Sequence, residues 1–233
     1  MPSRPHDIYA SAPLRRLLDD ELAALAPALQ RCAGERALQI AAAPASPPAL
    51  PMLGQWICLQ QSGRCYDGDL IASTEAGLPF LDESFALVVL RHALEPARGR
   101  ALLLGEAARV LMPGGMLALT GVHPLSGWLP WWLWRARRQR LSAQVPLGTC
   151  GWLRGADFSI ERTRRVGPPW PGMARASGTH VLGGGYLLIA RKRRPQTAPL
   201  RLPRRPLPEA GATGLATGAG RGVALQHGTE DHG

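Results

Sequence analysis

The chain has 233 residues, 45% of them hydrophobic, enough for one packed domain and hardly enough for two. Its formal net charge of +10 brings nucleic acid or an anionic membrane into view as partners. The charge is uneven, however, with 8 basic and 3 acidic groups in residues 191–233 against 19 and 14 in residues 1–190.

Residues 14–31 read as an amphipathic helix, because Leu14, Leu17, Leu18, Leu22, Leu25 and Leu29 recur at helical spacing. Ser11 suits the N-cap, Pro13 the first turn, and Pro27 a kink or an early end. Ala37–Ala42 and Gln55–Gln60 read as strands. Phe85–Leu90 is apolar on both faces, as a central strand of a parallel sheet is. A helix is expected from about Pro96 to Met112, stopped by Pro113-Gly114-Gly115, with Met116–Val122 as the next strand. Residues 126–150 read as helical or irregular, with Trp128, Trp131, Trp132 and Trp134 clustered at their start. Phe158–Val166 and Tyr186–Arg191 close the sheet, Gly183-Gly184-Gly185 being the turn before the last strand. Strands alternating with helical stretches imply βαβ units and an α/β fold with a doubly wound sheet. Residues 1–194 are read as that domain. Residues 195–233 pass from Pro/Arg-rich to Gly/Ala-rich without hydrophobic period and are read as a disordered basic tail.

Cys32, Cys58, Cys65 and Cys150 form no C-x-x-C pair, and no histidine stands at ligand spacing from them. Free thiols in a reducing, cytoplasmic setting are expected, and no metal. The run Trp128–Trp134 is too short to span a bilayer.

The stretch Leu78 to Thr120 carries the most specific pattern. It contains Leu78-Pro79-Phe80, then Phe85 and Val88 in a strand, Glu106 and Arg109-Val110-Leu111 on a helix, and Pro113-Gly114-Gly115 before an apolar strand. In these residues and their spacing the chain resembles the type 11 family of class I S-adenosylmethionine-dependent methyltransferases. It is most similar to a proteobacterial subgroup with H-x-L-E after one strand and N-P-L-S after the next, which here read His92-Ala93-Leu94-Glu95 and His123-Pro124-Leu125-Ser126. The resemblance implies a Rossmann-like, mostly parallel sheet with its last strand antiparallel. It also implies S-adenosylmethionine as cofactor and an acceptor that the sequence does not name.

The family's first strand ends in an acid and a glycine-rich loop, whose bare backbone lets the cofactor approach. Here that stretch is Gln39-Ile40-Ala41-Ala42-Ala43-Pro44. The resemblance therefore puts Gln39, Ala41 and Ala43 at the cofactor, Gln60 or Gln61 at the ribose, and Glu75, Ala76 and Leu78 at the adenine. A glutamine carbonyl is a weaker acceptor than a carboxylate. The lost charge assistance should cost on the order of 1.5–3 kcal/mol, roughly ten- to a hundredfold in affinity.

His92 falls just past a central strand, where it acts as a general base or orients the acceptor, or else caps the strand end. His123 carries the same two readings. The tryptophan cluster reads as a lid, as packing, or as an interfacial anchor backed by Arg135, Arg137, Arg138 and Arg140. Glu106 and Arg109 read as a structural pair at i, i+3 spacing. The expected function is methyl transfer from S-adenosylmethionine to an unknown acceptor. The rival is a methyltransferase-fold protein without activity that serves as a binding or accessory module at a membrane or on RNA.

Overall fold

The computed structural model describes residues 8–135, 142–173 and 182–194. The tail expected over 195–233 lies outside these residues, as do Arg137, Arg138 and Arg140. Eight strands form one sheet: β1 (Gly34–Ala41), β2 (Leu53–Ser62), β3 (Cys65–Gly68), β4 (Ala72–Ser73), β5 (Phe85–Arg91), β6 (Leu111–Val122), β7 (Phe158–Val166) and β8 (Gly185–Lys192). Their order is β4-β3-β2-β1-β5-β6-β8-β7. The central pairs β2–β1, β1–β5 and β5–β6 are parallel, and the outer pairs are antiparallel. The helices are α1 (Ala12–Leu29), α2 (Arg100–Val110), α3 (Trp128–Arg135) and α4 (Pro146–Gly155), with a 3-10 turn at Ile8–Ala10.

The core lies on both faces of the sheet. On one face Leu103, Leu104, Ala107 and Val110 of α2, with Cys150 and Leu153 of α4, cover Leu38, Ile40, Val88, Leu90, Leu117 and Leu119. On the other, Leu25, Ala28 and Leu29 of α1 cover Ala37, Leu87, Val89 and Ala118. Every residue of β5 is buried, which is why its sequence shows no alternation. Each such Leu or Val contributes about 1.5–3 kcal/mol by its burial.

Three local features depart from the sequence expectation. No helix joins β1 to β2, because Pro44, Pro47, Pro48 and Pro51 deny the connection a hydrogen-bonded ladder. β2 runs on to Ser62 and turns back through Gly63, at φ +65°, into the hairpin of β3 and β4. β6 starts at Leu111, directly after α2. Pro113-Gly114-Gly115 sits inside β6, between the pairs Phe85–Leu111 and Leu87–Met116, where the register shifts.

Candidate functional site

The chain leaves β1 toward β2 on one side and returns through β5 on the other, so the sheet's switch point lies between β1 and β5. Ligands of open α/β sheets bind beyond the strand ends at such a point. Here Ala41 pairs with both Gln60 and Arg91. Beyond it lies a recess of about 200 Å³, open solvent included, lined by Tyr9, Leu18, Ala41, Ala42, Ala43, Ala45, Arg91 and His92. The N-terminal 3-10 turn and α1 therefore form one wall of it.

Beside the recess is a buried charge cluster. His92 donates toward Glu21 Oε2 at 2.9 Å through Nε2 and toward Glu95 Oε1 at 3.1 Å through Nδ1. The Tyr9 hydroxyl donates to Glu95 Oε2 at 3.3 Å, and the Val122 amide to Glu95 Oε1 at 2.7 Å. The His92 and Glu21 side chains are sealed from water, at 0% and 1% exposure. Burial by itself would lower the His92 pKa, but the facing charges of Glu21 and Glu95 outweigh it and push it up to about 10. Burial pushes the Glu21 carboxyl up from its ordinary value, with His92 opposing. His92 also stands at φ +53°, a left-handed backbone that a non-glycine residue holds only where its surroundings fix it. Its amide is held by Thr120 O at 3.1 Å.

The glycine turn before β8 serves this cluster. A Cβ on Gly185 would stand 2.3 Å from Glu21 Oε1, and one on Gly184 would stand 2.0 Å from the Trp128 indole. Trp128 itself donates to Pro168 O at 2.8 Å. His123-Pro124-Leu125-Ser126 forms a turn in which His123 Nδ1 accepts from the Leu125 amide and the Ser126 hydroxyl donates to His123 O. Burial, with Arg165 nearby, lowers the His123 pKa.

The residues expected at a cofactor are spread unevenly. Ala41 and Ala43 line the recess. Gln39 is buried and donates from Nε2 to Ala45 O at 2.8 Å, while its Oε1 has no partner. Gln60, inside β2 opposite Ala41, is half-buried, and Gln61 is buried with an unpartnered Oε1. Glu75 is 61% exposed and pairs with Arg64 of the β2–β3 turn at 2.6 Å. Ala76 is exposed, and Leu78 packs into the core. None of these last three lines the recess.

The Leu78-Pro79-Phe80 segment is clasped from α2. Arg109 donates to Leu78 O at 2.9 Å and Phe80 O at 2.8 Å, and pairs with Asp82 at 2.6 Å and Glu106 at 2.7 Å. Glu106 in turn accepts from the Leu78 amide at 2.7 Å. The hydrogen bonds to Arg109 depress the Glu106 pKa. Helix α2 and the Leu78–Phe80 loop are thus one structural unit.

Sequence reasoning missed Glu21 and Tyr9. The signal for Glu21 was a carboxylate at a position of the apolar stripe of α1, in step with Leu14, Leu17, Leu25 and Leu29.

Residues 28–119 match the family model described as a methyltransferase domain. No curated protein matches the chain in sequence. Among solved structures, an S-adenosylmethionine-dependent methyltransferase of Thermotoga maritima is 15% identical, with 77% of this chain and 91% of that one aligned at a TM-score of 0.53. A methyltransferase from a complex with the Haloferax volcanii activator Trm112 is 14% identical over 81% and 97%, at 0.52. The YcgJ protein of Bacillus subtilis is 14% identical over 75% and 98%, at 0.51. At these identities the likeness is one of fold.

Proposed function

We propose, for a chain that carries a type 11 methyltransferase domain in residues 28–119 and with it the S-adenosylmethionine-dependent methyltransferase fold, that donor enters at the β1–β5 recess when the Tyr9 turn gives way. The observation that supports this is the buried, unpartnered Oε1 of Gln39, whose Nε2 donates to the carbonyl of Ala45 in the recess lining. An acceptor without a donor inside a protein is costly, about 1–3 kcal/mol, and is tolerated where a ligand supplies the missing proton.

The residues fit the donor in chemistry. Gln39 Oε1 accepts from an ammonium or a hydroxyl, and the methyls of Ala41 and Ala43 offer an apolar floor. Gln60, opposite Ala41 on β2, is the second acceptor on offer. As it stands the recess has room for about one water molecule, far short of a small-molecule site. The wall that moves in this reading is Tyr9 of the 3-10 turn, whose hydroxyl donates to Glu95 at 3.3 Å and whose ring meets the His92 ring edge-on. Moving α1 instead would separate Glu21 from His92 and leave charges buried without partners.

The bound donor supplies an already activated methyl group on a sulfonium. The chain's share is to align the acceptor and keep water out, for which no strong acid or base is required. Both ring nitrogens of His92 are taken up by carboxylates, so it acts as a positioning residue. It holds the end of β5 and the inner face of α1 in place, and it does not meet the acceptor. The reading of His92 as a general base is replaced by this one.

Thermal melting with and without excess donor or demethylated product tests the reading. At about 100 times the dissociation constant a ligand stabilises by roughly 2.7 kcal/mol, several degrees for a domain of this size. Gln39→Leu, which removes the acceptor, should abolish the shift. A shift that Gln39→Leu leaves intact would move the site elsewhere.

A further inference from the structure

Strand direction brings three segments to one end of the sheet. β6 finishes there and leads into α3, β7 finishes there, β8 begins there, and α4 begins there before running down to the start of β7. Contacts tie the segments together. The Trp170 ring lies so close to Gly127 that a Cβ would meet it at 1.5 Å. Arg165 donates to Gly183 O and to Leu125 O. Of the twelve exposed large hydrophobic side chains among the described residues, eight lie in these segments. Leu125, Leu147, Leu182, Trp134 and Trp170 are the most exposed of them, at 54–80%. A monomer does not ordinarily gather so much apolar surface at one end without a use for it.

Within these segments the charge has one sign, while a carboxylate outside them, Asp20 of α1, comes within 3.8 Å of the position a Cβ on Gly167 would take. No Asp or Glu occurs between Glu106 and Asp157, or between Glu161 and Glu209. Arg135, at the end of α3, and Arg162, Arg164 and Arg165, on β7, are the charged neighbours. Exposed tryptophans with aliphatic side chains between them and arginines at the rim are what a bilayer interface takes up. A second copy of the chain would set like charges against each other. RNA would use the arginines and rings but leave Leu125, Leu147 and Leu182 in water.

We infer that this end of the sheet docks on the surface of an anionic bilayer, with Trp134 and Trp170 at headgroup depth. Among the described residues no helix is long and apolar enough to cross a membrane, so the attachment is to the surface. The inference stands on this patch alone and does not depend on the methyl-transfer reading.

The test is co-sedimentation of the full chain with phosphatidylcholine vesicles, with and without phosphatidylglycerol at about a quarter of the lipid. Binding is expected only to the anionic vesicles and should fall about tenfold between roughly 0.05 and 0.5 M salt. The double variant Leu133→Ser/Trp134→Ser, at positions already half exposed, should keep its melting temperature and bind at least about tenfold more weakly. Lipids brominated near the headgroup should quench the tryptophan fluorescence of the unaltered protein. Failure to sediment with anionic vesicles at low salt would overturn the inference. So would sedimentation without quenching, or binding to single-stranded RNA with none to vesicles.

Discussion

Gly185 and Glu21 are fitted to each other across the fold: a methyl group at 185 would stand 2.3 Å from the carboxylate oxygen of Glu21. Glu21 has nowhere to retreat, since it is fully buried and held by His92. Gly185→Ala should therefore destabilise the protein by about 1–3 kcal/mol, the cost of overpacking. Gly151→Ala, on α4 with nothing within 4 Å of the new methyl, should instead stabilise by about 0.5–1 kcal/mol. Denaturant midpoints of the two variants check both signs.

His92 should make stability depend on alkaline pH. Its folded pKa of about 10 lies above its ordinary value of 6.5. The stabilisation from its bound proton is therefore complete below about pH 6.5 and is lost as pH rises through about 10. Glu21, raised mainly by burial, works in the same direction, since stability is lost as pH rises above its ordinary value of 4.5 and the buried carboxyl ionises. His92→Gln leaves two carboxylates buried against a neutral group and should cost about 3–5 kcal/mol. The variant should also lose the decline that the unaltered protein shows between about pH 6.5 and 10. Urea midpoints across that range separate the two, and an identical alkaline decline in the variant would assign it to other groups.

Arg109 should matter to the Leu78–Phe80 loop more than a surface helix residue ordinarily does. It is about one-third exposed, so its ion pairs alone are worth little. Its two bonds to the loop carbonyls of Leu78 and Phe80 add to that. Arg109→Ala should cost about 1–3 kcal/mol and raise amide exchange of residues 78–83. Arg109→Lys should restore only part of this, because an ammonium does not span both carbonyls and two carboxylates. Exchange in the variant equal to that of the unaltered protein would reduce Arg109 to a surface pair.

The leucine spacing of α1 and the two-sided apolar run of β5 were legible, because helix and central-strand burial impose them directly. The doubly wound sheet followed from the alternation of strands with helical stretches, and the fold neighbours bear it out. The missing helix after β1 was signalled by four prolines between residues 44 and 51, which the expectation of βαβ alternation overrode. The β2–β3 hairpin was signalled by Ser62-Gly63-Arg64, a turn sequence that a reading of β2 as ending at Gln60 set aside. The charge cluster was only half legible. His92 and Glu95 stand three residues apart at a strand end, whereas Glu21 reaches His92 across 71 residues of sequence and only the packing of α1 joins them.

The central claim is that methyl donor enters at the β1–β5 recess behind Tyr9. Calorimetric titration of the unaltered protein and of Tyr9→Ala with the demethylated product tests it most directly, since product binds without reacting. Binding in the micromolar to sub-millimolar range is expected, about −8 to −4 kcal/mol. Tyr9→Ala, which removes the tie to Glu95 and opens the recess wall, should bind several-fold more tightly, because less of the free protein is closed. Binding unaffected or weakened by Tyr9→Ala would contradict entry at this recess, and no heat from either protein at millimolar product would contradict donor binding altogether.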